Sequence, residues 1–162
     1  MSGLRAYDAS RFSAALSIYA GDVHKELLAA LEPVCRDLHT NCAVPPDIRE
    51  IPDGWEGLAS AMFYAPDGSG QGVSVVVGQD PTEQVSRLAD QVQEWAVEAL
   101  WTAGLSAVWP HCPSHPDSHP LVARVACGEA AWFCPKTGEL VAPIGQLPAI
   151  TPPPKGSSRR NR

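Results

Sequence analysis

The sequence predicts an α+β domain: N-terminal helices, a small antiparallel sheet with an amphipathic helix packed on it, and a C-terminal β-hairpin rich in Cys and His. Three observations predict it. Apolar residues recur at helical spacing from Val85 to Leu100. Two strand-like runs, Leu58 to Tyr64 and Gly72 to Val77, flank a turn signal. After Gly104 the composition changes, and three of the five Cys and three of the five His crowd between Trp109 and Cys134.

The elements follow in order. Ser10 caps a short helix with Phe12, Leu16 and Tyr19 on one face, and Gly21 interrupts it. Asp22 caps a second helix whose apolar residues are Val23, Leu27, Ala30, Leu31, Val34 and Leu38. Pro33 falls inside this pattern and should bend or split the helix near Leu31. Cys35, Cys42, His24 and His39 belong to this region and read as structural. Residues 44–57 are rich in Pro, Asp and Gly, which predicts an irregular or edge segment. The two strands come next, joined through Asp67-Gly68. The Gly-rich connector lacks the Lys and the spacing of a phosphate loop, so it reads as a hairpin tip. Residues 81–103 form the clearest helix. Asp80 is its cap, Pro81 its first residue, Glu83 the partner in a capping-box-like pair, and Gly104 its stop. Trp95 lies on its apolar stripe and reads as packing. Residues 121–126 and 130–133 make a second hairpin around Gly128-Glu129. The small sheet either joins these strands or stands apart from them.

The chain has 162 residues, 44% of them hydrophobic and 19% charged, which suits a globular domain rather than a disordered or fibrous chain. Near-continuous apolar stretches such as Val73 to Val77, and the unbroken five-residue run Leu27 to Leu31, are far too short to cross a bilayer. No secretory leader is legible, and an odd count of five Cys favours a reducing compartment, so the expected location is cytoplasmic. The net charge of −6 is uneven. Lys155, Arg159, Arg160 and Arg162 give the last twelve residues +4, which leaves 8 basic residues against 18 acidic ones elsewhere. An acidic body repels a phosphate backbone, which argues against nucleic acid and points to another protein as partner. The organisation expected is a body over 1–104, a Cys/His hairpin packed on it over 105–147, and a disordered basic tail over 148–162.

The chemistry lies in Cys112-x2-His115-x3-His119-x14-Cys134. Zinc takes four thiolate or imidazole ligands in a tetrahedron. A two-residue gap lets Cys112 and His115 face one ion from a tight turn, and Pro113 and Pro116 stiffen that turn. His119 follows on the same loop, and the hairpin returns Cys134 beside Cys112. The expected ligands are therefore Cys112, His115, His119 and Cys134, around one structural Zn²⁺ per chain. His111, Cys127 or a water could take the fourth place, although Cys127 reads as a small core residue.

These residues resemble the zinc-ribbon or zinc-knuckle class. The resemblance rests on Cys112-Pro113-Ser114-His115, a hairpin, and Trp132-Phe133-Cys134-Pro135-Lys136-Thr137-Gly138. In that class each knuckle carries a ligand at both ends. Here His115 stands for the second thiol of the first knuckle, and Thr137 occupies the ligand place of the second. His119 is the natural substitute. The resemblance covers about a fifth of the chain and implies a metal site without implying a task. The expected role is a non-catalytic, zinc-stabilised interaction module or adaptor. One alternative is a zinc hydrolase with an open metal position, using Asp117 or Glu129 as base. Another is a redox switch pairing Cys127 with Cys134.

Overall fold

The computed structural model describes residues 24–51 and 55–149. The expected helix over Ser10 to Tyr19, the expected cap Asp22 and the basic tail from residue 150 onward lie outside the described residues. Those described form two helices and three small antiparallel sheets, the mixed α+β class that the sequence predicts.

Helix α1 spans Lys25–Asn41. It is capped by His24 rather than Asp22: the His24 Nδ1 accepts from the Glu26 N–H at 3.3 Å. Leu27, Ala30, Leu31, Val34 and Leu38 form its buried stripe. The expected split at Pro33 does not occur, and the helix continues through it. A proline inside a helix costs about 3 kcal/mol. Burying each large side chain of the stripe contributes about 1.5–3 kcal/mol, so packing wins.

Strands β1 (Asp47–Ile51), β2 (Leu58–Tyr64) and β3 (Gly70–Val76) form the first sheet in that order. Here β1 supplies the expected edge segment, pairing Asp47 with Tyr64 and Ile51 with Ser60. Alternation turns Ala59, Ala61 and Phe63 of β2 inward, with Val73 and Val75 of β3 beside them. In the connecting turn Asp67 accepts from the Ser69 N–H at 2.9 Å, while Gly68 takes the positive φ of 89°.

Helix α2 spans Pro81–Thr102 and packs on α1 and β3. The Asp80 carboxylate accepts from the N–H groups of Thr82 and Glu83. At the other end Gly104 (φ 70°) lets its own N–H reach Trp101 O and the Leu105 N–H reach Leu100 O. This paired closure satisfies two orphan carbonyls. Trp95 is buried edge-on to Phe63, with ring centroids 5.5 Å apart, as the packing reading requires. Trp101 is 72% exposed.

The Cys/His region remains separate from the first sheet. Strands β4 (His111–Cys112) and β5 (His115–Pro120) form a two-stranded ribbon. Strands β6 (Val122–Ala126), β7 (Glu129–Phe133) and β8 (Leu140–Pro143) form a third sheet in that order. Its first hairpin turns at Cys127-Gly128, one residue earlier than the expected Gly128-Glu129. Both turn residues have positive φ, 52° and 78°, the conformation that matches the twist of a two-residue hairpin. Cys127 is consequently exposed at the tip and is not a core residue.

Helix α2 also packs on β6 and β7 and so carries this region. The Gln93 amide donates to Trp109 O at 2.9 Å and Leu121 O at 2.6 Å. Those two residues flank the β4–β5 ribbon, so one side chain fixes both of its ends. The Trp109 and Trp132 rings meet edge-to-face at 5.6 Å, fully buried. Asp37 of α1 closes the assembly, accepting from Trp132 Nε1 and from the backbone N–H groups of Gly145 and Leu147.

Candidate metal centre

Two chain segments meet at the site. The first is the β4–β5 ribbon, where Cys112 pairs with His115 across the Pro113-Ser114 turn. The next pairing is His111 with Pro120, so the register jumps and residues 116–119 bulge out. That bulge carries His119 back toward Cys112. The second segment is the turn after β7. The Gly138 N–H donates to Cys134 O at 2.8 Å and the Cys134 N–H to Glu139 O at 2.9 Å. Gly138, at φ 75°, makes this tight reversal without steric cost.

The ligand atoms of Cys112, His115, His119 and Cys134 all lie within 4.8 Å of one another. His115 Nδ1 is 3.5 Å from Cys112 Sγ and 3.6 Å from Cys134 Sγ. His119 Nε2 is 3.8 Å from Cys134 Sγ. The imidazole rings stand 5.1 Å apart, tilted at 43°. Cys112 and Cys134 are 1% and 3% exposed, and both His are half-buried. His119 has its outer nitrogen fixed, since Nδ1–H donates to the Pro120 carbonyl at 3.0 Å. This selects the tautomer whose Nε2 lone pair faces the sulfurs, the usual arrangement of a metal-bound His.

Thr137 has a role that the sequence does not announce. Its side chain beside Cys134 is, against the effect of burial, the largest influence lowering that thiol to about 6, while its hydroxyl donates to Glu139 Oε2 at 3.2 Å. The backbone N–H groups of Thr137 and Lys136 and the Cys112 thiol add to it. A Thr in a ligand place of the zinc-knuckle pattern thus acts on the neighbouring candidate ligand Cys134, and only the turn geometry reveals this.

The alternatives for the fourth place fall elsewhere. His111 Nδ1–H donates to the Pro116 carbonyl at 2.7 Å, and His111 is not among the converging ligand atoms. Cys127 sits at the hairpin tip, separated from Cys134 by the five residues of β7, about 17 Å at ~3.3 Å per residue. That length also removes the alternative of a Cys127–Cys134 redox pair within one chain. Glu129 opens β7 at the same far end, and Asp117 is exposed on β5. Cys35 is buried in the core, where desolvation pushes its thiol up to about 12, and Cys42 ends α1.

Two thiols and two imidazoles gathered this closely could hold one metal ion. No described helix is long and apolar enough to cross a membrane. The chain matches no protein-family model, no curated protein and no solved structure, so the converging Cys112, His115, His119 and Cys134 are what identifies the site.

Proposed function

We propose that Cys112, His115, His119 and Cys134 hold one Zn²⁺ in a closed structural site, and that the chain is a non-catalytic, zinc-stabilised module that binds another protein. The observation that carries the metal reading is the set of sulfur–nitrogen distances. A tetrahedral zinc with Zn–S of about 2.3 Å and Zn–N of about 2.0–2.1 Å has S···N edges of about 3.6 Å. The three given above, 3.5, 3.6 and 3.8 Å, agree with that edge. A single N–H of His115 cannot point well at two sulfurs, whereas a lone pair directed at a shared ion meets both distances. The donor set is the one zinc favours, and two thiolates with two neutral imidazoles neutralise its charge. The two knuckle-like turns also fit the zinc-ribbon resemblance.

The structural role follows from the ligand count. Four protein ligands leave no position for a reactive water, which a hydrolase needs. Glu129 opens β7 at the end far from Cys134, and Asp117 is exposed and outside the converging group, which removes support from the hydrolase alternative. A closed ion instead ties a Pro-rich ribbon with little regular hydrogen bonding to the turn after β7. That leaves surface recognition as the remaining task of an acidic domain.

Metal analysis of the full chain purified without chelators is expected to give about one zinc per chain, reduced by Cys112→Ser or His119→Ala. Finding no zinc would overturn the reading. Cobalt replacement separates closed from open sites. Intense tetrahedral bands that small anions leave unchanged are expected, and bands that shift on adding anions would revive the hydrolase.

A further inference from the structure

We propose that this metal centre is also a peroxide-responsive release site, in which hydrogen peroxide joins Cys112 to Cys134 and expels the ion. The inference rests on the zinc reading above. Its basis is that the two thiols share one ligand cluster and one opening. Their sulfurs lie within 4.8 Å, among four converging ligand atoms. Both residues line the same open cleft of about 460 Å³, walled by Ser114 and Glu139, ample for an oxidant little larger than water. Cys112 also lines a second cleft of about 290 Å³ beside Pro110 and Leu147. Low overall exposure of these cysteines therefore does not seal them, since a small molecule reaches them through the cleft.

The other thiols are placed differently. Cys35 is enclosed in the core, and Cys127 is a strand length away. Neither belongs to the cluster, and Cys42 does not either.

The chemistry balances with peroxide as the only co-reactant. One thiolate attacks a peroxide oxygen and the O–O bond breaks, giving a sulfenic acid and hydroxide. The second thiolate attacks that sulfur and displaces a second hydroxide, forming the S–S bond. Each sulfur loses one electron, peroxide gains two, and two solvent protons convert the hydroxides to water. The disulfide has no thiolate to offer, and His115 and His119 alone are half of the tetrahedron. The ion leaves, His115 and His119 come free of it, and the new S–S bond takes over the tie between the ribbon and the turn after β7.

The test treats the full zinc-loaded chain with hydrogen peroxide and follows free zinc with a chromogenic chelator, free thiols by titration, and linkages by peptide mapping. The expected result is about one zinc released for every two thiols lost, with a Cys112–Cys134 disulfide, reversed by dithiothreitol and added Zn²⁺. Cys127→Ser should behave in the same way. Zinc retained at peroxide levels that oxidise exposed Cys127, or release with a linkage through Cys42 or Cys127, or release with sulfinic acids and no disulfide, would overturn the proposal. Zinc content measured before treatment separates the two readings. A chain that starts without zinc overturns both, and one that starts with zinc and keeps it overturns this one alone.

Discussion

Asp37 holds three parts of the chain together. It is 1% exposed, and its carboxylate accepts from Trp132, Gly145 and Leu147, which lie 95, 108 and 110 residues away. Removing the carboxylate orphans three buried donors, so Asp37→Ala is expected to cost about 3–5 kcal/mol by denaturant midpoint. Burial pushes this carboxyl above its usual 3.8, against the opposing pull of its three donors. A raised acid binds more protons folded than unfolded, so its contribution is full below 3.8 and declines as pH rises through the folded value. The margin of the native chain over Asp37→Asn should therefore shrink as pH rises from about 4. A margin that widens would contradict the sign. The cysteines give a second residue-level prediction. With metal bound, exposed Cys127 should label rapidly, half-buried Cys42 slowly, and Cys35, Cys112 and Cys134 hardly at all. Chelation should add Cys112 and Cys134 as fast thiols, and Cys35, which burial holds at about 12 while the helix stands, should label only as α1 loses its structure. Mass spectrometry of labelled peptides reads this, and early labelling of Cys112 in the metal-loaded chain would argue against ligation. The convergence of Cys112, His115, His119 and Cys134 was legible because their spacing within one short segment is itself the signal. The roles of Asp37 and Thr137 were not, since their partners are set by distant packing and by turn geometry.

At the scale of elements, α2 was legible because every local signal agreed: Asp80 caps it, Gly104 ends it, and one stripe faces the core. The misread elements are those where tertiary contact decides. Pro33 reads locally as a break, yet it packs against Gly145, where an added Cβ would stand 2.8 Å from the Pro33 Cβ. Strand β8 is four residues with no alternation, and it exists by pairing with β7. The outer edge of β3 shows another such contact. Gln91 of α2 donates to Ser74 O at 2.9 Å and accepts from Ser74 N–H at 2.9 Å, as a neighbouring strand would. About two helix turns away, Gln84 donates to Val76 O and to Glu26 of α1. These amides cover an edge that would otherwise invite another chain. Gln91→Ala should cost about 1–3 kcal/mol and speed hydrogen exchange at the Ser74 amide. Unchanged exchange there would show that the helix backbone, rather than Gln91, protects the edge.

Across the whole molecule, the question is whether the metal region folds as an independent appendage. Its links to the body argue that it does not. Gln93 holds both ends of the β4–β5 ribbon, Asp37 holds Trp132 and the segment after β8, and α2 packs on both the first and the third sheet. Structural zinc contributes about 10–16 kcal/mol in small peptides, against about 5–15 kcal/mol of net stability for a whole domain. A loss of that size cannot stay confined to one end when buried hydrogen bonds and the Trp109–Trp132 pair cross the boundary. Chelation is therefore expected to expose Trp109 and Trp132 and, in the same step, to reduce the helical signal of α1 and α2. Thermal unfolding of the metal-loaded chain should be one transition by both Trp fluorescence and far-ultraviolet dichroism. Its midpoint should climb with free zinc above saturation, by about 1.4 kcal/mol of stability for each tenfold rise, because the ion binds the folded chain alone. Two separated transitions, with the helical one indifferent to zinc, would show instead that α1, α2 and the first sheet stand without the metal region.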